Sequence, residues 1–142
     1  MQLGASVYSK NMSTEIWTAP FTLEEINKRA RASLSAHLGI RFTEKSGRTL
    51  TAIMPVDDRT KQPMGIMHGG ASAALAETVG SSAANYCVDQ SLFACVGLDL
   101  NINHIRSVRS GIVTAVATPC HLGKSTQVWE IKIWNEAKKL VS

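Results

Sequence analysis

Glu77 and the run before it, Gln62-Pro63-Met64-Gly65-Ile66-Met67-His68-Gly69-Gly70, hold residue types that can do chemistry. Pro63 and Gly65 break regular structure, and Gly69-Gly70 let another group approach the backbone closely. Residues 71–86 contain no proline, and Leu75, Val79, Ser82/Ala83 and Tyr86 recur at helical spacing. The opposite face of that helix carries Ala73, Ala74, Glu77, Ser81 and Ala84, so one carboxylate stands among small side chains. The first N–H groups of a helix lack partners and lie at the positive end of its dipole. Near Gly69 and Gly70 such groups can hold a developing oxyanion. Ser81 lies one helical turn after Glu77, within reach of its carboxylate. A donor-rich helix start two turns from a lone carboxylate describes a hydrolytic site. Taken singly, the same residues have plainer readings: a solvated glutamate, a steric glycine, a capping histidine.

The elements that must position these residues can be read along the chain. Residues 1–14 show no periodicity and read as a flexible N-terminal extension, with one domain over 15–142. Thr22 with Glu25 three residues on forms a capping box, Phe21 and Ile26 form the staple, and a helix should run to about residues 30–35. Strands are expected at 40–43 and 49–56, joined by a turn at Ser46-Gly47. After the central helix, residues 92–106 alternate over a long stretch. Leu92, Ala94, Val96, Leu98, Leu100 and Ile102 share one face, expected on a core, and Cys95, Gly97, Asp99, Asn101 and Asn103 share the other. This reads as a long strand, and as the natural edge to pair across a two-fold axis. Strands at 112–118 and 126–134 follow, separated by Leu122-Gly123-Lys124. One long helix with antiparallel strands argues an α+β fold.

Length and composition narrow the function classes. The chain has 142 residues, enough for one domain with a core, with 44% hydrophobic and 18% charged residues. No apolar run approaches the roughly 18 residues of a membrane span. The net charge of +4 comes without a dense Lys/Arg run, so neither nucleic acid nor a membrane is expected as partner. Cys87, Cys95 and Cys120 have no metal-like spacing; with no secretory signal at the start, the odd count fits a reducing cytoplasm.

Gln62-Pro63, His68-Gly69-Gly70-Ala71-Ser72, Leu75-Ala76-Glu77 and Gly80-Ser81 together resemble the hotdog-fold acyl-CoA thioesterases. The likeness is to the branch holding the 1,4-dihydroxy-2-naphthoyl-CoA thioesterase and the proofreading thioesterase of enterobactin synthesis. Met54-Pro55-Val56-Asp57, Arg59-Thr60-Lys61, Asn103-His104-Ile105-Arg106 and His121-Leu122-Gly123 share it, so the resemblance covers roughly residues 15–140. It implies an antiparallel sheet wrapped round one long central helix. It implies Glu77 as nucleophile or general base, the Gly69 N–H as oxyanion donor, Gln62 as a second donor to the thioester carbonyl and His68 as an orienting group. It puts His104 near the acyl pocket, with Ser81 and Ser82 on the substrate side of the helix. Arg106, Arg109, Lys124 and Ser125 become candidates for the phosphates of CoA, at strand ends expected to meet at one rim. Met64 and Met67 flank the loop as adaptable pocket residues. The substrate implied is an acyl-CoA, aromatic by the branch, with no metal or redox cofactor. The helix carboxylate of one subunit is expected to meet the loop of the next, in a dimer or a dimer of dimers, hence a homotetramer. By the resemblance, relatives continue for about one strand past Leu140; a chain ending at Ser142 is expected either to lack that strand or to be a truncated reading of a longer gene, and is expected to be less stable and less fully assembled than one carrying it. A carrier-protein proofreading thioesterase, a hydratase on the same fold and a non-catalytic acyl-CoA-binding module are the alternatives. Glu77 following the His-Gly-Gly run argues against the last two.

Overall fold

Thr22 starts the first helix by the local rule its neighbours predict. Its side chain accepts the Glu25 N–H, and the Glu25 carboxylate accepts the Thr22 N–H at 2.8 Å, closing the capping box of α1 (Leu23–Arg29). Phe21 and Ile26 are both buried, and Phe21 stacks on Tyr86 with ring centroids 3.7 Å apart. The helix ends at Arg29, before the expected end. Ala32 takes a positive φ of 58° and turns the chain into the one-turn α2 (Leu34–His37).

The computed structural model describes residues 15–142, and the expectation for 1–14 lies outside the described residues. Four strands form an antiparallel meander in the order β1 (Arg41–Lys45), β2 (Leu50–Pro55), β3 (Ile112–Leu122), β4 (Gln127–Asn135). Between β2 and β3 in sequence lies the long helix α3 (Gly69–Tyr86), which packs on one face of β2, β3 and β4. The β2–β3 register sets Leu50 opposite Ala117, Ala52 opposite Ala115 and Met54 opposite Val113, and all six side chains are fully buried. They meet the α3 stripe Ala71, Leu75, Ala76, Val79 and Ala83. Burial of a Leu75- or Val79-sized side chain contributes about 1.5–3 kcal/mol. The small residues let the helix lie close to the sheet: a methyl on Gly80 would come 3.2 Å from Ile131 Cδ1 of β4. Ala84, expected on the open face, is buried, because Cys95 and Gln127 cover its carbonyl. The α+β expectation is met.

Residues 92–106 depart from the reading as a strand packed on a core. The segment runs beside α3 without a β-ladder, and the first part of its apolar row faces outward, with Leu92, Val96 and Leu98 exposed at 72%, 85% and 88%, while Ile102 packs against the core as expected. The half-buried Cys95 and the backbone at Gly97 turn inward instead. A ladder needs a neighbour on its hydrogen-bonding edge. Among the described residues only 140–142 supply one. Val141 N donates to Ile133 O at 2.7 Å, and Val141 O accepts from Ile105 N at 2.9 Å and Arg106 N at 3.3 Å. Residues 140–142 thus begin a strand between β4 and the segment, and the described ladder stops at Ser142.

Candidate active site

The loop carrying Gln62 is a small hairpin whose sequence determines its shape. Gly65 N donates to Gln62 O, and Gln62 N donates to Ile66 O, both at 2.9 Å. Pro63 takes the second turn position, where its ring suits the backbone, and Gly65 adopts φ +74°, a conformation only glycine takes cheaply. Met67 N donates to Val108 O and His68 N to Thr60 O, tying both ends of the loop down. Thr60 is itself buried, and its hydroxyl accepts from Asp57 N and donates to Pro55 O. Hydrogen bonds from Arg59 hold the Asp57 carboxyl below its ordinary range and brace the same corner. Gln62 Oε1 accepts from Met64 N at 2.7 Å. That bond fixes the amide orientation, so the Gln62 Nε2 group is the end left to donate.

His68 caps α3. Its Nδ1 accepts from Gly70 N at 2.7 Å, so in the neutral ring the proton resides on Nε2. This corrects the expectation that both glycine amides are free, since the Gly70 N–H is consumed by the cap. The Gly69 N–H makes no hydrogen bond among the described residues and is the donor the helix start offers. It opens on a cleft of about 330 Å³ lined by Gln62, Met67, Gly69, Ser72, His104 and Arg106, with Val141 and Ser142. His68 and Met64 lie outside that lining, and Met64 is exposed.

His104 stands closer to this donor than its reading as an acyl-pocket residue implied. A methyl on Gly69 would come 2.7 Å from His104 Nε2. His104 Nδ1 is 3.2 Å from Ser72 Oγ and 3.3 Å from Ser142 Oγ. Ser72 donates its one hydroxyl hydrogen to Gly69 O at 2.8 Å, so it accepts from His104 Nδ1. The neutral ring therefore turns an unprotonated Nε2 toward the helix start. Ser72 was missed in the sequence because a serine in the first turn of a helix reads as a capping or packing residue.

Glu77 is half-buried two turns further along α3, and Ser81 Oγ donates to its Oε1 at 2.6 Å, as the one-turn spacing predicts. The anchor is a hydroxyl rather than a cation, and Oε2 has no hydrogen-bond partner among the described residues. A methyl on Gly97 would lie 2.5 Å from Glu77 Oε1, so the 92–106 segment closes over the carboxylate with only a glycine's width. Ser82 is half-buried next to Ser81. Eight residues separate Gly69 from Glu77, about 12 Å along the axis and about 80° round it. Within one chain the donor and the carboxylate therefore stand about two helical turns apart.

The cationic candidates divide. Arg106 borders the cleft, with its Nε donating to Leu140 O at 3.2 Å and its Nη groups outward. Arg109 stands at the Gly65 turn, its Nη1 4.0 Å from where a Gly65 methyl would be. Lys124 and Ser125 are exposed in the turn after β3. That strand carries the chain about 35 Å from Arg109 at ~3.3 Å per residue. The two pairs do not share a rim within one chain, contrary to the expectation from meander connectivity. Neighbouring strand ends meet across a turn, but the two ends of one strand do not.

Comparisons with known proteins agree with this geometry. The thioesterase superfamily matches residues 64–142. The 1,4-dihydroxy-2-naphthoyl-CoA hydrolase of Escherichia coli strain K12 is 46% identical over 125 residues, 88% of this chain and 91% of that protein. The proofreading thioesterase EntH of Cronobacter turicensis is 46% identical over 121 residues, 85% and 88% of the two chains. Among solved structures, a thioesterase from Haemophilus influenzae superposes with a TM-score of 0.86 at 49% identity, covering 89% of this chain and 87% of its own. A glutamine-to-alanine variant of a Pseudomonas aeruginosa thioesterase gives a TM-score of 0.88 at 48% identity, covering 89% and 91%. The helix laid across an antiparallel meander is their hotdog fold, and the chain belongs to the thioesterase superfamily as a hydrolase of thioesters.

Proposed function

We propose that the protein is an acyl-CoA thioesterase whose site is shared between two copies of the chain and whose acyl group is aromatic. One observation carries the reading. The Glu77 carboxylate is anchored by Ser81 and bordered by Gly97, while the Gly69 N–H stands about 12 Å away along the same helix, with the Gln62 amide on the loop before it. A second copy, bringing its own Glu77 to the cleft, completes the set. The exposed apolar row of Leu92, Val96 and Leu98 on a segment without a ladder suits contact with that copy.

In this arrangement the thioester carbonyl oxygen takes the Gly69 N–H, with Gln62 Nε2 beside it. Two fixed donors stabilise the charge that develops there as the carbonyl carbon is attacked. The partner's Glu77 supplies the attack, directly or by taking a proton from water, and the CoA thiolate leaves. His68 orients the loop through its cap on Gly70. The small residues Ala73, Ala74 and Ser82 near the carboxylate suit a flat ring, and the naphthoyl-CoA relative is named as the hydrolase of an aromatic acyl-CoA. Arg106 and Arg109 take the nucleotide phosphates at the outer end of the cleft. Dimers pair further into a homotetramer, and the three unpaired cysteines suit action in the cytoplasm.

Thiol release from benzoyl-CoA, 1,4-dihydroxy-2-naphthoyl-CoA and lauroyl-CoA tests the proposal. The aromatic thioesters should exceed the fatty one in kcat/KM by about tenfold or more, a barrier difference of ~1.4 kcal/mol. Release from none of them would leave a binding module. In the same assay Arg106→Ala should raise KM several-fold with kcat little changed, because nucleotide binding is uniform between ground and transition states. That effect should fade at high salt and vanish for a thioester without the nucleotide. An equal loss of rate on both kinds of thioester would remove Arg106 from CoA binding.

A further inference from the structure

Asn85, two helical turns beyond Glu77 on the same side of α3, has no part in the chemistry proposed above. Its side chain is used entirely on the backbone of the 92–106 segment and of its own helix. Asn85 Oδ1 accepts from Cys95 N at 2.9 Å, and Asn85 Nδ2 donates to Cys95 O at 2.9 Å. The amide thus makes both hydrogen bonds that an opposing strand residue makes in an antiparallel ladder. Nδ2 also donates to Ser81 O at 2.9 Å, the carbonyl of the residue whose hydroxyl holds Glu77. Gln127 of β4 reaches the same spot, with Nε2 3.9 Å from Cys95 Sγ and 3.4 Å from Ala84 O. Two residues beyond this clamp, Gly97 presses on the carboxylate, where an added methyl would lie 2.5 Å from Oε1.

We infer that Asn85 is a positioning residue for Glu77: by making both backbone hydrogen bonds to Cys95, it holds Gly97 beside the carboxylate and keeps that carboxylate on Ser81. The inference rests on the reading of Glu77 as the reactive group. It also accounts for Gly97. The atom a side chain would meet there is the tip of a flexible glutamate, so a methyl displaces the carboxylate rather than the fold. Displacements of about 1 Å in a reacting group cost on the order of 10²-fold in rate.

A double-mutant cycle in kcat on benzoyl-CoA, with thermal melting alongside, tests it. Gly97→Ala should lower kcat by about 10²-fold with KM within about twofold and an unchanged melting temperature. Asn85→Ala should lower kcat by about tenfold, again with KM held. Because the freed segment can retreat from the new methyl, the double variant should fall by about 10²-fold, not the ~10³-fold of independent effects. Asn85→Asp, which keeps the acceptor for Cys95 N and loses the donor to Cys95 O, should lie between wild type and Asn85→Ala. It takes the place of Asn85→Ala in the cycle should that variant not fold. Multiplying effects, or wild-type kcat in both Asn85 variants, would overturn the inference. Glu77→Gln in the same assay separates the two readings. If it is inactive while the cycle is additive, only the role of Asn85 fails; if it turns over like wild type, the site reading fails and the inference with it.

Discussion

Replacing Glu77 with glutamine should lower kcat by about 10²-fold or more, at least ~2.7 kcal/mol of barrier, and leave KM within about twofold. The expectation follows from what the substitution keeps. A glutamine oxygen still accepts from Ser81 Oγ, now at 2.6 Å from Oε1, and its volume against Gly97 is unchanged. What disappears is the negative charge and with it the ability to attack a carbonyl carbon or take a proton from water. In the proposed site, substrate binding draws on the cleft and on Arg106, neither of which the substitution touches, so the loss should fall on kcat. A thermal melt matching the wild type would exclude a folding defect as the cause. Turnover near the wild-type rate would remove Glu77 from the mechanism, and the helix carboxylate would revert to a solvated side chain.

Much of the scaffold around this residue was legible because it is built from local rules. The capping box at Thr22, the Pro63–Gly65 turn and the Ser81–Glu77 spacing each involve residues within four positions of one another. Local geometry decides such features whatever the rest of the chain does. The 92–106 segment was legible only as extended. Alternation says that two faces differ, but not which face meets the protein and which meets something else. Here Leu92, Val96 and Leu98 point away from α3 while Ile102 turns to the core, and the small Gly97 is the residue turned toward Glu77. The resemblance alone places His104 near the acyl pocket, while Ser72 and Ser142, 32 and 38 positions away, hold it at the helix start. Asn85 carried no sequence signal, since a polar residue in the last turn of a helix is ordinary. Its meaning comes from Cys95, ten positions on. Lys124 failed as a partner for Arg109 because strand length, not order along the chain, sets their separation.

Mixing two inactive variants should restore activity. An oxyanion donor lies about 3 Å from the carbonyl oxygen and a nucleophile about 3–3.5 Å from the carbonyl carbon, so donor and carboxylate can stand no more than about 8 Å apart, or about 11 Å with one bridging water. Gly69 and Glu77 are about 12 Å apart along α3, and the Glu77 carboxylate leans on Ser81, toward the far end of the helix. One chain therefore presents two half-sites. Gln62→Ala, which removes the second donor, should lose about 10²-fold or more by itself, as should Glu77→Gln. In a symmetric dimer containing one chain of each kind, one site carries both lesions and the other carries neither. Random co-assembly makes about half of the dimers mixed, so activity should rise from about 1% to about a quarter of the wild-type value. The reverse arrangement provides the control. Co-assembly of wild type with the doubly substituted Gln62→Ala, Glu77→Gln chain places one lesion in every site of the mixed dimers. Only the wild-type pairs then contribute, again about a quarter, whereas self-contained sites would give about half. A mixture of the single variants that stays at the level of its parents would mean that donor and carboxylate of one chain meet after all, and the shared site would be wrong.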